Sequence, residues 1–344
     1  MIQRQLKELI VGNSAAIRRL RDIIARVGPS KLPVLILGPT GSGKELVARG
    51  LHLASGRTGR FETCNVCALP PGLFESEVFG HVRGAFTGAV ADKRGHLVNA
   101  SGGTMFFDEI GGLALECQPK LLRALDGYAF RPVGASQDRQ SDFRVVAATN
   151  EDVAAMVASG RFRSDLWYRL AGITMYVPPL SARLQDLPDL VEHLLARRPG
   201  RPSGQQAVSA SAIVALQAHT WGGNVRELAV TLERAALFAE EKPIDATHVI
   251  AAIEIVSKRV HGLQKATGNQ VVAALDTAAG DVGLAAQLLG VSRPTIYRHL
   301  AALGLTSRRW RNSWVDSQEF LARVARMSSW RDGLDEPNQP NDIS

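Results

Sequence analysis

The chain has 344 residues, more than one hydrophobic core usually organises, so two or three domains are expected. Its 45% hydrophobic and 21% charged residues are a globular balance, and no apolar run is long enough to span a bilayer. A formal charge of +7 suits an acidic partner such as nucleic acid; three cysteines, an odd number, argue against a disulfide framework and for a reducing, cytoplasmic setting.

The N-terminal stretch MIQRQLKELIVG lacks the apolar core and small-residue cleavage site of a signal peptide. From about residue 10 to 180, apolar strand-like runs alternate with helical patterns, which predicts an α/β fold on a parallel sheet. LPVLILG reads as a buried strand, and GPTGSGKE follows it directly and opens a helix. Gly38, Gly41 and Gly43 let this loop curl around Pro39, Thr40 and Ser42 so that backbone N–H groups face a phosphate. Lys44 supplies a mobile cation and the helix N-terminus adds positive potential. The usual Ser or Thr after the lysine is Glu45 here. A glycine turn without ligand is the competing reading, disfavoured by the strand before it and the helix after it.

Cys64 and Cys67 form a C-x-x-C, but only Cys117 stands elsewhere, so packing of buried thiols is favoured over zinc or redox chemistry. Further on, Gly84-Ala85-Phe86-Thr87-Gly88-Ala89 has four Gly or Ala residues and no charge. It is too small-sided for a core and too apolar for an ordinary solvated loop.

GGTMFFDEI is a second apolar strand ending in Asp108 and Glu109, where one carboxylate can hold Mg²⁺ and the next can polarise an attacking water. With the phosphate loop, this predicts a nucleotide triphosphatase. FRVVAATN is a third buried strand. SGRFRSDLWYRL offers Arg161, Arg163 and Arg169, either cations for a transferring phosphoryl group or a basic surface helix.

Pro178-Pro179 punctuates the block, and residues 185–256 turn helical around a loop, RRPGRPSGQQ. GDVGLAAQLLGVSRPTIYRHLAALG reads as helix-turn-helix. Ala285, Leu288 and Leu289 bury the first helix, Gly290 turns, and Ser292 caps the second helix, with Pro294 in its first turn. Ile296 and Leu300 face inward, leaving Arg293, Thr295, Arg298 and His299 for bases and phosphates, with Ser292 at the helix start. The rival is a small helical oligomerisation bundle. In the extension after it, Trp310 and Trp314 dock a helix or touch DNA, and the composition after about 331 predicts disorder.

Together these motifs resemble the bacterial enhancer-binding proteins, the AAA+ activators of sigma-54 RNA polymerase, over roughly residues 8–303. ESEVFGHVRGAFTGA, GGTMFFDEI, FRSDLWYRL and WGGNVREL stand in that family's order. The resemblance implies that Lys44 and the glycine loop bind ATP, with GKE as that family usually carries it, and that Asp108 and Glu109 serve Mg²⁺ and water activation. Asn65 matches the residue that restrains the glutamate, Asn150 a nucleotide sensor, and Arg226 the sensor arginine of the helical subdomain. Arg163 and Arg169 match fingers donated to a neighbouring subunit, and Gly84, Ala85, Phe86, Thr87, Gly88 and Ala89 match the loop that contacts sigma-54. The C-terminal block is similar to a Fis-type dimeric DNA reader.

This chain departs from the pattern at Val82, where Glu is usual, in GHLVNA, which lacks a Phe-Glu pair, before Arg183, where one arginine is missing, and at Gly222, where Pro is usual. None of these removes a catalytic group; they bear on loop-to-site coupling. The expected layout is an AAA+ α/β nucleotide-binding subdomain at 8–180, a helical lid at 181–256, a helix-turn-helix domain at 257–305 and an extension at 306–344. The expected function is ATP-driven opening of the sigma-54 holoenzyme's closed complex from double-stranded enhancer DNA, by a ring that the resemblance implies is a hexamer, without membrane contact. Because the ATPase begins almost at residue 1, control by a separate protein in trans or by expression level is expected. A remodeller of another client and a DNA-bound regulator with a vestigial ATPase remain as rivals, disfavoured by the intact loop, acidic pair and arginines.

Overall fold

The computed structural model describes residues 1–198 and 206–261, with 271, 274, 275, 278, 281–289, 296 and 297. Most of the expected loop RRPGRPSGQQ and all of the expected extension at 306–344 lie outside the described residues. Contacts divide the chain into two units, Met1–Ala252 and Ile253–Ser344.

The first unit is a three-layer α/β domain with a helical extension. Its parallel sheet has five strands, β1 (Val34–Leu37), β2 (Phe61–Asn65), β5 (Thr104–Asp108), β8 (Arg144–Thr149) and β9 (Ile173–Tyr176), in the order β2-β5-β8-β1-β9. The intervening strands are short: β3 (Gly80–His81) pairs with β4 (Lys93–Arg94), and β6 (Ala129–Phe130) with β7 (Arg139–Gln140), as antiparallel ribbons. The three apolar runs read from the sequence are the three central strands. Side chains alternate between two cores, as period-2 geometry requires. Leu35, Met105, Phe107, Val145 and Ala147 join one, while Val34, Ile36, Phe106, Val146 and Ala148 join the other.

The second core is closed by α1 (Ile2–Leu9), α2 (Ala15–Val27) and α3 (Lys44–Ser55), through Leu6, Ile17, Leu20, Ile24, Val47 and Leu51. The first is closed by α4 (Pro71–Val78), α5 (His96–Asn99), α6 (Gln118–Gly127), α7 (Val153–Ala158) and α8 (Ser164–Leu170). Strand register brings Leu37 level with Thr149 and Asn65 level with Asp108, so the carboxyl ends of the strands form one edge. Crevices at that edge are where open parallel sheets bind ligands.

The helical extension comprises α9 (Leu187–Ala196), α10 (Ala210–Gln217), α11 (Asn224–Ala239) and α12 (Ala246–His261), the last running into the second unit. In that second unit, α13 (Val282–Leu289) contributes Ala285 and Ala286 to a small core with Val271, Ala274, Leu275, Ala278 and Ile296. Ala285 and Ile296 are buried as the helix-turn-helix reading requires, while the side chains of Leu288, Leu289 and Leu300 lie outside the described residues. Among the described residues no helix is long and apolar enough to cross a membrane.

Candidate nucleotide site and surface loop

The phosphate loop leaves β1 at Gly38 and enters α3 at Lys44, whose side chain is only 6% exposed. Lys44 Nζ donates to the Gly38 carbonyl at 3.1 Å and stands 3.6 Å from Glu109 Oε1. The loop is held from outside at Thr40. Its hydroxyl accepts from Asn150 Nδ2 at 3.0 Å, and its carbonyl accepts from Asn224 Nδ2 at 3.0 Å. Val225 N–H donates to the Gly41 carbonyl at 3.0 Å, and a Cβ on Gly41 would lie 2.3 Å from the Gly223 carbonyl oxygen. Only glycine admits this approach of helical extension to phosphate loop. The same imagined Cβ would lie 3.0 Å from Arg226 Cβ, so the expected sensor arginine roots beside the loop. Glu45 faces outward and pairs with Arg49 one turn on, at 2.7 Å.

Among the described residues, the buried side-chain polar atoms without a hydrogen-bond partner are Ser42 Oγ and Arg183 Nε, both at this loop. Arg183 is buried, donates from Nη2 to the Ser42 carbonyl at 2.8 Å, and has its pKa pushed below the ordinary value by that burial. A cavity of about 540 Å³ adjoins the loop, lined by Leu37, Gly38, Pro39, Asn150, Trp167 and Tyr176 among others.

Asp108 ends β5, and its carboxylate accepts from Glu109 N–H at 3.1 Å. Burial, with the neighbouring Glu109 charge, holds the Asp108 carboxyl above the ordinary carboxylate value. Glu109 adopts a left-handed φ of 52° and leads into a 3₁₀ turn, Ile110–Gly112. A non-glycine residue there stores backbone strain of the kind that gathers at functional sites. Asn65 caps the turn after β2, its Oδ1 accepting from Cys67 N–H at 3.0 Å. Cys64 is buried, its thiol pushed up to about 12 by burial, as the packing reading expects. Cys67 differs: it is exposed, with Sγ 3.6 Å from the Glu109 carbonyl oxygen, because the strand has ended and the chain turns across the site. Among the described residues no group of His, Cys, Asp and Glu could by itself hold a metal ion.

The segment Gly84–Ala89 closes on itself at the surface. Gly84 N–H donates to the Ala89 carbonyl at 2.8 Å and Ala89 N–H to the Phe86 carbonyl at 3.0 Å, with Gly84 and Gly88 at φ of 81° and 99°. Ala89 is buried, whereas Thr87 is exposed and Phe86 is 42% exposed, its ring edge-on to His81 at 5.0 Å. Below the loop, Val82 N–H bonds the Val133 carbonyl at 3.1 Å, tying it to the insertion that carries β6 and β7.

Arg163 stands at the N-cap of α8, half exposed, paired with Asp165 at 2.7 Å. Arg169, in the last turn, donates from Nε to the Leu125 carbonyl at 3.1 Å and lies 3.5 Å from Asp126. Both therefore reach the surface from α8, each held by a local acceptor. Arg161 turns to the Ser159 hydroxyl instead, at 3.2 Å.

Family models match in the same order along the chain. The Sigma-54 interaction domain matches residues 10–176, the AAA+ ATPase lid domain 181–265, and the Bacterial regulatory protein, Fis family, 268–303. The transcriptional regulatory protein ZraR of Klebsiella oxytoca is 40% identical over 302 residues, covering 85% of this chain and 68% of that protein. The chain belongs to the sigma-54 interaction domain family. The Nif-specific regulatory protein of Azotobacter vinelandii is 40% identical over 319 residues, 88% of this chain, which spans 60% of that protein's length. The crystal structure of NtrX from Brucella abortus in complex with ATP superposes with a TM-score of 0.64 at 32% identity, covering 86% of this chain and 69% of that one.

Within this sigma-54 family fold, three buried polar side chains join segments that the sequence alone does not connect. Asn224 lies in WGGNVREL, at a left-handed φ of 54°, and its Oδ1 also accepts from Leu180 N–H at 2.8 Å. Asn after a Gly pair, a residue type enriched in that conformation among those with a side chain, is the available signal. Asp186, fully buried, accepts from Asn13 N–H, Ser14 N–H and the Ser14 hydroxyl at 2.7, 2.6 and 2.7 Å, fastening the start of α2 to the helical extension. Gln118 is the third. The expected DNA-contacting residues Ser292, Arg293, Thr295, Arg298 and His299 lie outside the described residues.

Proposed function

We propose that the chain is a sigma-54-dependent transcriptional activator, a cytoplasmic ATPase that binds enhancer DNA and uses hydrolysis to convert the closed polymerase complex to the open one. One observation carries the reading. A self-closed surface loop with Phe86 and Thr87 outward sits on the same α/β domain as a phosphate loop whose lysine faces an acidic strand end. A mere nucleotide-binding module has no use for such a loop. Family membership supports the sigma-54 partner and the Fis-type reader.

The phosphate loop fits a nucleoside triphosphate. It holds a buried cation at Lys44 and two buried polar atoms, Ser42 Oγ and Arg183 Nε, without a protein partner. ATP is the substrate, as the name of the ATP-bound NtrX structure suggests by similarity. Lys44 leaves Glu109 to meet phosphate, which frees that carboxylate to orient and deprotonate the attacking water. Asn150 and Asn224, both on Thr40, register the change in the loop. Asp108 and the phosphates would together hold Mg²⁺, a set that suits a cation binding through one or two carboxylates plus substrate oxygens. That ion supplies charge neutralisation on the phosphoryl oxygens.

Arg163 and Arg169 serve the neighbouring subunit's site, which requires a ring, by resemblance a hexamer; head-to-tail contacts close such rings. Arg226 serves its own site from the lid. The subdomain boundaries at 180, 256 and 305 belong to the same reading. Open-complex formation by sigma-54 holoenzyme with ATP tests it, comparing wild type with Thr87→Ala while following phosphate release. The expected result is a mutant that hydrolyses ATP but opens no promoter. A wild-type chain that hydrolyses ATP yet never opens the promoter overturns the proposal.

A further inference from the structure

Gln118 opens α6 with its side chain fully buried, an unusual place for a carboxamide unless every polar atom is matched. Both ends are used. Nε2 donates to the Leu113 carbonyl at 2.9 Å and to the Arg161 carbonyl at 3.2 Å, and Oε1 accepts from Arg163 N–H at 2.8 Å. Leu113 closes the 3₁₀ turn that begins at Glu109, through Gly112 N–H to the Glu109 carbonyl at 2.9 Å and Leu113 N–H to the Ile110 carbonyl at 3.1 Å. Arg161 and Arg163 belong to the segment that enters α8. One buried amide therefore joins the turn behind the acidic pair of the chain's own site to the backbone of the arginine aimed at another site.

We propose that Gln118 is a positioning residue that couples these two sites, setting the backbone of Arg163 by the arrangement of the Glu109 turn. The inference rests on the reading that Arg163 acts in the neighbouring subunit. It gives the amide a directional consequence. A defect at Gln118 impairs hydrolysis at the neighbour's site and leaves the chain's own phosphate loop intact. A buried glutamine that merely satisfies loop carbonyls has no such direction.

Subunit mixing separates the two. Gln118→Glu keeps the acceptor for Arg163 and removes both donations; Gln118→Met removes all three bonds at similar volume. Alone, each variant is expected to lose about 10- to 100-fold in kcat, the cost of a misplaced charge-stabilising group, with KM for ATP within about twofold of wild type. Mixed with Glu109→Gln subunits, which cannot hydrolyse but carry a sound Arg163, the variants regain activity well above the sum of the separate rates. Arg163→Ala mixed with Glu109→Gln is the control and shows the same gain.

Control gain without variant gain overturns the proposal and leaves the trans arginine standing. Loss of gain in both mixtures overturns the trans reading and the proposal together. Hydrogen exchange on the wild-type chain needs no variant. Protection of the amides around residues 161–163 changes when a non-hydrolysable ATP analogue binds, and unchanged protection overturns the coupling even where both variants fail to fold.

Discussion

Lys44 Nζ stands 3.6 Å from Glu109 Oε1, so the cation of the phosphate loop and the carboxylate of the acidic strand neutralise each other across the site. In the proposed reaction each is the group the other must release: phosphate competes for the lysine, and the freed glutamate can turn to water. Glu109→Gln removes the competition and the base together. Hydrolysis is expected to fall by about 10²- to 10⁴-fold, the usual worth of a positioned general base, while nucleotide affinity holds or rises. Phosphate release and fluorescent-nucleotide titration on the same preparation check both halves. A parallel loss of affinity places Glu109 in nucleotide binding instead.

Asp108 supplies a prediction in pH. Its carboxyl is held above the ordinary value, first by burial and then by the Glu109 charge. A raised folded-state pKa means that the ionised form costs the nucleotide-free fold stability. The cost is absent below the unfolded pKa and fully present above the folded one. Asp108→Asn therefore melts higher than wild type by a few °C at neutral pH without nucleotide, and the difference closes as pH falls through the carboxylate range. Added ATP and Mg²⁺ stabilise wild type but not the variant. A variant that melts lower at pH 7 removes the electrostatic account of this site.

How much of this was legible in the sequence depends on burial. β1, β5 and β8 are covered on both faces, so their residues are continuously apolar and stand out as LPVLILG, GTMFFDE and FRVVAATN. The edge strands β2 and β9, FETCN and ITMY, alternate with exposed positions and give no such run. α1 was passed over for a related reason: eight residues with one fully buried side chain, Leu6, make a weak pattern. At the candidate site, groups whose chemistry suits phosphate, water or metal are legible from residue type and spacing. Asn224, Asp186 and Gln118 are not, because a neutral amide or a single carboxylate acquires its meaning only from the backbone groups that the fold brings to it. The expected fingers illustrate the boundary: their residue types were legible, whereas their local acceptors, Asp165 and the Leu125 carbonyl, were not.

The three thiols are expected to separate cleanly under alkylation. Cys64 and Cys117 are buried and Cys67 is exposed. The Cys67 thiol is nonetheless raised above its ordinary value, by partial burial and then by Glu109 and Asp108, so its reaction rises later with pH than that of a free thiol. Mass mapping after iodoacetamide at pH 8 finds Cys67 labelled first, with the other two reacting only on unfolding. Early labelling of Cys64 contradicts the packing of β2.

Asp186 is a buried carboxylate that ties two distant segments of the first unit together. Fully buried, it accepts three hydrogen bonds from Asn13 and Ser14, and Ser14 in turn caps α2 by accepting from Ile17 N–H at 3.2 Å. Removing the carboxylate leaves the buried N–H and hydroxyl of Ser14 and the part-buried N–H of Asn13 without acceptors, and the buried pair costs more unmatched than its bonds contribute. Asp186→Ala is expected to lose about 3 kcal/mol or more, with Asp186→Asn intermediate because one oxygen remains. Urea unfolding at pH 7 measures both. The loss should appear in the midpoint with the m-value unchanged, since the same surface is exposed on unfolding. A loss near zero for Asp186→Ala means that the start of α2 is held by the apolar contacts of Ile17 and Leu20 alone, and that the fastening between α2 and the helical extension contributes nothing to the fold.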